Sequence, residues 1–181
     1  EGEDLSYDEL TALAAAAPAF GPLVEPDSHD FLRPGDMPAR IIAFCQATGQ
    51  EAPETRGEIL RCTLESLALK YRWVLERLER MLGRRLETIH IVGGGAQNRL
   101  LCQFAADATR RLVIAGPVEA TALGNILMQA IARGRIGSLE EGREVVRRST
   151  EMHIFEPGPV AGWDDAYARF EALHERTPGV Q

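Results

Sequence analysis

The longest periodic stretch of apolar positions lies between residues 55 and 82. Thr55-Arg56-Gly57-Glu58 has the form of a capping box, in which hydroxyl and carboxylate each bond the other's backbone N–H. Leu60, Leu64, Leu67, Tyr71, Val74, Leu78 and Met81 then follow at steps of four and three. That spacing predicts one helix of about 40 Å with a single apolar stripe. The stripe would also suit a coiled-coil seam. β-type sequence follows at once, so the expectation is a long helix lying across a sheet, with Leu67 and Val74 in the core.

Two further boxes, Ser6-Tyr7-Asp8-Glu9 and Ser138-Leu139-Glu140-Glu141, open helices that should end before Pro18 and near Arg148. A helix from Pro38 to Thr48 starts on a proline and stops at Gly49, and an amphipathic helix runs from Trp163 to Arg176. Between them the β-type runs are Leu86–Val92, Leu112–Ala115 and, at an edge, Met152–Phe155. Helices from Asn98 to Thr109 and from Glu119 to Arg133 follow the first two. Strand–helix–strand in that order implies a parallel βαβ unit with a right-handed crossover. The class is α/β, helix-rich with a small βαβ sheet. Residues 18–36, with four prolines and two glycines, read as a surface connection. Leu23-Val24-Glu25 is a short strand candidate within it. A connection of that length should pack on something, a part of the protein outside this sequence included.

The chain has 181 residues, 45% hydrophobic and 26% charged, enough for one domain with its own core. Net charge is −7, and the arginines lie beside acids, with Lys70 the one lysine. This excludes the basic stripe of a nucleic-acid partner. Ala12–Ala19 is the longest near-apolar run, too short for a membrane. The three cysteines, Cys45, Cys62 and Cys102, form no C-x-x-C pair, which fits a cytoplasmic protein. Cys45 and Cys62 fall on neighbouring helices and could meet. The four histidines have no ligand spacing, so no metal site is expected.

Candidate chemistry sits in Ile91-Val92-Gly93-Gly94-Gly95-Ala96-Gln97-Asn98. Glycines between a strand and a helix let a ligand touch the main chain, and the helix start favours anionic groups. A tight turn required only by packing would use glycine too, but the middle one, Gly94, is hardest to explain that way. The dinucleotide fingerprint fails because Asn98 stands at its last glycine, and the phosphate-binding P-loop fails for want of a lysine. Asn98 either caps the helix or, like Gln97, offers an amide to an adenine edge or a ribose.

Ile89–Leu101, Ala105–Ala108 and Val113–Ile126 resemble the C-terminal part of the FGGY carbohydrate kinases, and Glu58–Tyr71 resembles the long helix that precedes their glycine strand. Ala115-Gly116-Pro117-Val118-Glu119-Ala120 is the most specific stretch, within a likeness over roughly residues 30–160. The resemblance implies part of an actin-like, ribonuclease H-like ATPase domain. It implies ATP and Mg²⁺ as cofactors, ATP or ADP as ligand, and a sugar held by an N-terminal domain. Residues 1–160 would be the nucleotide-binding part and 161–181 a C-terminal helix. Gly93, Gly94, Gly95 and Gln97 would line the nucleotide pocket, with Asn98 beside them. Gly124 would let the next helix approach closely, and Glu119 would be a helix-start acid. The family's catalytic Asp and its S-G-T phosphate loop have no counterpart in these residues, so no catalytic residue is assigned and this chain alone should be inactive. The alternatives are a non-catalytic actin-like binding module, or an FGGY kinase for xylulose, fuculose or glycerol.

Overall fold

The computed structural model describes residues 5–158 and 161–176. Helices α1 (Tyr7–Ala16), α2 (Met37–Ala47) and α3 (Arg56–Leu82) lead into β1 (Thr88–Ile91), α4 (Arg99–Thr109) and β2 (Leu112–Ala115). Then come α5 (Ala120–Ala132), α6 (Leu139–Ser149), β3 (His153–Phe155) and α7 (Trp163–Arg176). The boxes at Ser6 and Thr55 are closed in both directions. At Ser138 only half forms: the hydroxyl caps Glu141 N–H, while the Glu141 carboxylate takes the N–H of Gly137 instead. Asp36 caps α2.

β1 and β2 pair in parallel, from Thr88↔Leu112 to Ile91↔Ala115, and β3 joins β2 antiparallel, from Val113↔Phe155 to Ala115↔His153. The βαβ unit and the edge strand therefore stand as expected. Leu23-Val24-Glu25 does not form a strand. Side chains satisfy its backbone instead: Ser66 Oγ accepts from Val24 N–H at 2.9 Å, and the Gln50 amide both accepts from and donates to Leu23 at 2.8 Å. The segment packs on α3 of the same chain. Its Glu25 is fully buried, with Lys70 Nζ at 2.7 Å and His174 Nδ1 also on its carboxylate.

Two expectations for α3 are corrected. It does not lie across the sheet; it packs on α1, α4 and α7, and α4 makes the contact with β2. Its buried face is not the predicted stripe. Leu67 is half-buried and Val74 is 40% exposed, while Leu69 and Ala68 are fully buried beside Cys62. The pattern misled because core residues on that face, Glu65, Ser66 and Lys70, are polar or charged. Ser66 holds Val24, and Glu65 accepts from Phe20 N–H at 2.9 Å and from Arg61 Nε at 2.7 Å. Burial pushes the Glu65 carboxyl up, against the pull of Arg61. Cys45 and Cys62 are both buried in this core as free thiols. Leu69→Ala is expected to cost about 2–5 kcal/mol, and Val74→Ala within about 0.5 kcal/mol in this chain, by denaturant melts. Equal costs would contradict the assigned face.

Glu79, near the end of α3, ties that helix to the strand starts. Its carboxylate accepts from Leu86 N–H at 2.7 Å and from Arg111 at 2.9 and 3.1 Å. The Leu86 N–H first, then the Arg111 guanidinium, hold this carboxyl below the usual carboxylate range. The native state therefore binds the proton more weakly than the unfolded chain. The contribution is complete above the unfolded value of about 4.3 and is lost as pH falls through the lower folded value. Glu79→Gln should flatten the loss of melting temperature below about pH 5; an acid slope equal to that of the parent would contradict this.

Candidate functional site

β1 ends at Ile91, and Gly93–Gln97 form a single 3-10 turn before α4. The turn is fastened to the loop after β2. Gly93 N–H donates to Pro117 O at 3.0 Å, and Gly116 N–H to Ile91 O at 2.9 Å. The glycine loop and the Gly116-Pro117 turn thus lie side by side at the carboxyl ends of parallel strands, where open α/β sheets bind ligands.

The glycines differ in what requires them. Gly93 has φ +75, in the left-handed region that a side chain resists, so the turn itself accounts for it. Gly116 has φ +117, and a Cβ there would stand 2.9 Å from Glu151 O, so β3's approach accounts for it. Gly94 has neither constraint: its φ is not positive, and a Cβ would meet nothing within 4 Å. Gly95 would make only ordinary contact, 3.5 Å from Ile91 Cγ2. Gly94 and Gly95 are exposed on the open side of the loop.

Gln97 is exposed as well, and its side-chain amide makes no hydrogen bond among the described residues. Asn98 is buried and its Oδ1 accepts from Leu101 N–H at 2.9 Å, which caps α4. Ligand contact by Asn98 would therefore fall to Nδ2. Gly124 sits in the second turn of α5, and a Cβ on it would meet nothing within 4 Å, so no close helix approach is seen there. Glu119 is the N-cap residue of α5, without a side-chain cap bond. The structure adds two residues that the sequence did not indicate. Arg99, the first residue of α4, lies 3.3 Å from His153 Nε2, and His153 pairs with Ala115 at the end of β2. Only the fold reveals this cationic neighbour, because 54 residues separate the two.

Cavities among the described residues lie elsewhere, and two of them differ in character. One of about 280 Å³ is lined by Glu51, Glu54, Glu58 and Glu65, a wall that repels phosphate. The other, about 240 Å³, is an apolar groove between Val24, Met37 and Leu67. No cluster of three or more His, Cys, Asp or Glu among the described residues could hold a metal ion. No helix among them is long and apolar enough to cross a membrane.

Residues 1–133 match the C-terminal domain of the FGGY family of carbohydrate kinases. The chain belongs to that family. Among curated relatives, a rhamnulokinase from Bacteroides thetaiotaomicron is 44% identical over 168 residues, 93% of this chain and 35% of that protein. A rhamnulokinase from Enterococcus faecalis is 43% identical over 157 residues, 86% of this chain and 32% of that protein. The chain thus spans about a third of the length of the relatives it matches. Among solved structures, a xylulose kinase from Rhodospirillum rubrum superposes with a TM-score of 0.64 at 26% identity, over 94% of this chain and 34% of that one. A Plasmodium falciparum glycerol kinase with ADP gives a TM-score of 0.67 at 17% identity, over 97% of this chain and 34% of that one, a likeness of fold alone. The fold is the actin-like ATPase type of these sugar kinases, helix-rich with a small mixed sheet.

Proposed function

We propose that this chain is the nucleotide-binding portion of an ATP-dependent sugar kinase that converts L-rhamnulose to L-rhamnulose 1-phosphate. The single observation that carries the nucleotide site is Gly94, an exposed glycine that neither its own backbone nor any neighbour requires. A flat base or a ribose could lie against the main chain there. Gly93 shapes the turn, Gly95 extends the open surface, and the free amide of Gln97 offers hydrogen bonds to the base. Asn98 supports the start of α4, and Gly124 leaves the side of α5 open. Residues 1–160 form the nucleotide portion, and the C-terminal helix docks on α3 and α4.

In the whole reaction the sugar's 1-hydroxyl oxygen attacks the γ-phosphorus of ATP. The bond to the ADP oxygen breaks, and the hydroxyl proton passes to a base. Bound Mg²⁺ would supply charge neutralisation at the phosphates, and no carboxylate cluster among the described residues would hold it. The base and the sugar contacts belong to the N-terminal portion. A cytoplasmic location fits this metabolic role.

Rhamnulose is favoured over other sugars by the rhamnulokinase relatives at 43–44% identity described above. The test is kcat/KM of the full-length kinase on L-rhamnulose, xylulose, fuculose and glycerol. Rhamnulose should lead by at least about tenfold, or 1.4 kcal/mol in transition-state binding. A lead for any other sugar overturns the substrate assignment.

A further inference from the structure

α7 carries two guanidiniums on one face. Arg169, Ala172, Leu173 and Arg176 stand at i, i+3, i+4 and i+7. They line a single side of the helix, with a cation at each end and apolar groups between. That side faces Leu23, Thr48 and Gln50 across a cavity of about 230 Å³. The space equals roughly seven waters at their share of the liquid, the size of a small metabolite.

The charge in this cavity is the reverse of the chain's. Net charge is −7, and the cavity that holds Glu51, Glu54, Glu58 and Glu65 is acidic. No carboxylate of the described residues lines the one at α7. Gln50 and Glu51, neighbours in sequence, open into different cavities. Arg61, Arg72, Arg110 and Arg111 each hold a carboxylate. Arg169 and Arg176 form no ion pair among the described residues.

Arg169 is also fixed in place. Its Nη1 donates to Gly21 O at 3.1 Å and its Nη2 to Phe20 O at 2.7 Å. A guanidinium has more N–H donors than these two bonds use, and the rest are left for a ligand. Its side chain has already lost freedom that binding would otherwise cost. The facing wall offers an anion nothing better. The Gln50 amide is spent on Leu23 and Thr48, and the Thr48 hydroxyl on Phe44 O and Cys45 O. Leu23 and Leu173 are both buried and give the floor an apolar surface.

We propose that this cavity binds a small organic anion, with a carboxylate or phosphate head on the two guanidiniums and a body of a few carbons against Leu23, Ala172 and Leu173. The planar fork of arginine donates to either oxyanion in the same bidentate way. A ligand there joins the end of α7 to the Leu23 segment and the turn after α2. None of the lining residues belongs to the glycine loop, so the inference does not rest on the nucleotide reading.

The experiment is calorimetry of the full-length kinase in saturating ADP, titrated with butyl phosphate, butanoate and inorganic phosphate. A ligand this small should bind in the millimolar range. The tighter of butyl phosphate and butanoate identifies the head. Butyl phosphate should bind at least about tenfold more tightly than inorganic phosphate, because its carbons leave water. Arg176→Gln breaks no hydrogen bond among the described residues. It should melt like the parent and bind butyl phosphate about tenfold more weakly. Arg169→Gln should weaken binding as much, with some loss of melting temperature as Phe20 and Gly21 lose a donor. Hydrogen exchange should slow at residues 48–50 and 169–176 when butyl phosphate binds. Three results would overturn the proposal: no heats from the parent, equal affinity in the parent and Arg176→Gln, or inorganic phosphate bound as tightly as butyl phosphate. In the last case the arginines attract any anion and the cavity selects nothing. Slowed exchange confined to residues 93–98 would also overturn it, since the ligand would then sit on the glycine loop. Neither sugar nor turnover enters these readouts, so their failure is separate from failure of the kinase reading.

Discussion

Residues 1–181 supplied with L-rhamnulose, Mg²⁺ and ATP are expected to release no sugar-dependent ADP. Phosphoryl transfer needs a positioned base and phosphate donors, and the base must reach within about 3 Å of the sugar hydroxyl. Each candidate carboxylate is otherwise engaged or distant. Asp107 accepts from Gln103 Nε2 and from Gly158 N–H, both at 2.8 Å, and so ties α4 to the segment after β3. Asp164 pairs with Arg72 and Arg110, and the Arg72 hydrogen bond holds it below the usual carboxylate range, the wrong direction for a base near neutral pH. Asp165 stands exposed on the first turn of α7. Ser149 and Thr150 close α6, with the Thr150 hydroxyl donating to Val146 O, and they form no phosphate loop. Adding the preceding portion of the full-length kinase should restore turnover. Sugar-dependent ADP release by residues 1–181 alone, free of host kinases, would show that one of these dismissed groups is a base.

Much of the architecture was legible because local rules and tertiary contacts agree. The boxes at Ser6 and Thr55 and the strand–glycine–helix order of residues 86–109 needed no distant partner to be read. Where tertiary contacts override pattern, the reading failed. Glu65 and Ser66 are buried because they satisfy the backbone of Phe20 and Val24, more than forty residues away. A hydrophobic pattern scores such residues as surface, and so it turned α3 to the wrong face. Leu23-Val24-Glu25 looked like a strand for the matching reason: its backbone partners are side chains, not a ladder. In the site, the glycine run was visible at once. The division of labour within it was not, because Gly93, Gly94 and Gly116 differ only in dihedral angle and in what surrounds an absent Cβ.

That division makes Gly94→Val the most direct measurement of the central claim, a nucleotide site on the glycine loop. A valine there meets no atom of the protein within 4 Å of its Cβ and needs no left-handed backbone. Its melting temperature should equal that of the parent. Nucleotide affinity should fall by about tenfold or more, at least 1.4 kcal/mol, because the side chain occupies the space where the ligand meets the main chain. Without the second phosphate loop, binding to the parent chain will itself be weak, so the titration needs high ADP or ATP. Calorimetric heats from the parent that vanish in Gly94→Val, with melting unchanged, are the predicted result. Equal nucleotide heats from two folded proteins would place the nucleotide elsewhere and contradict the account.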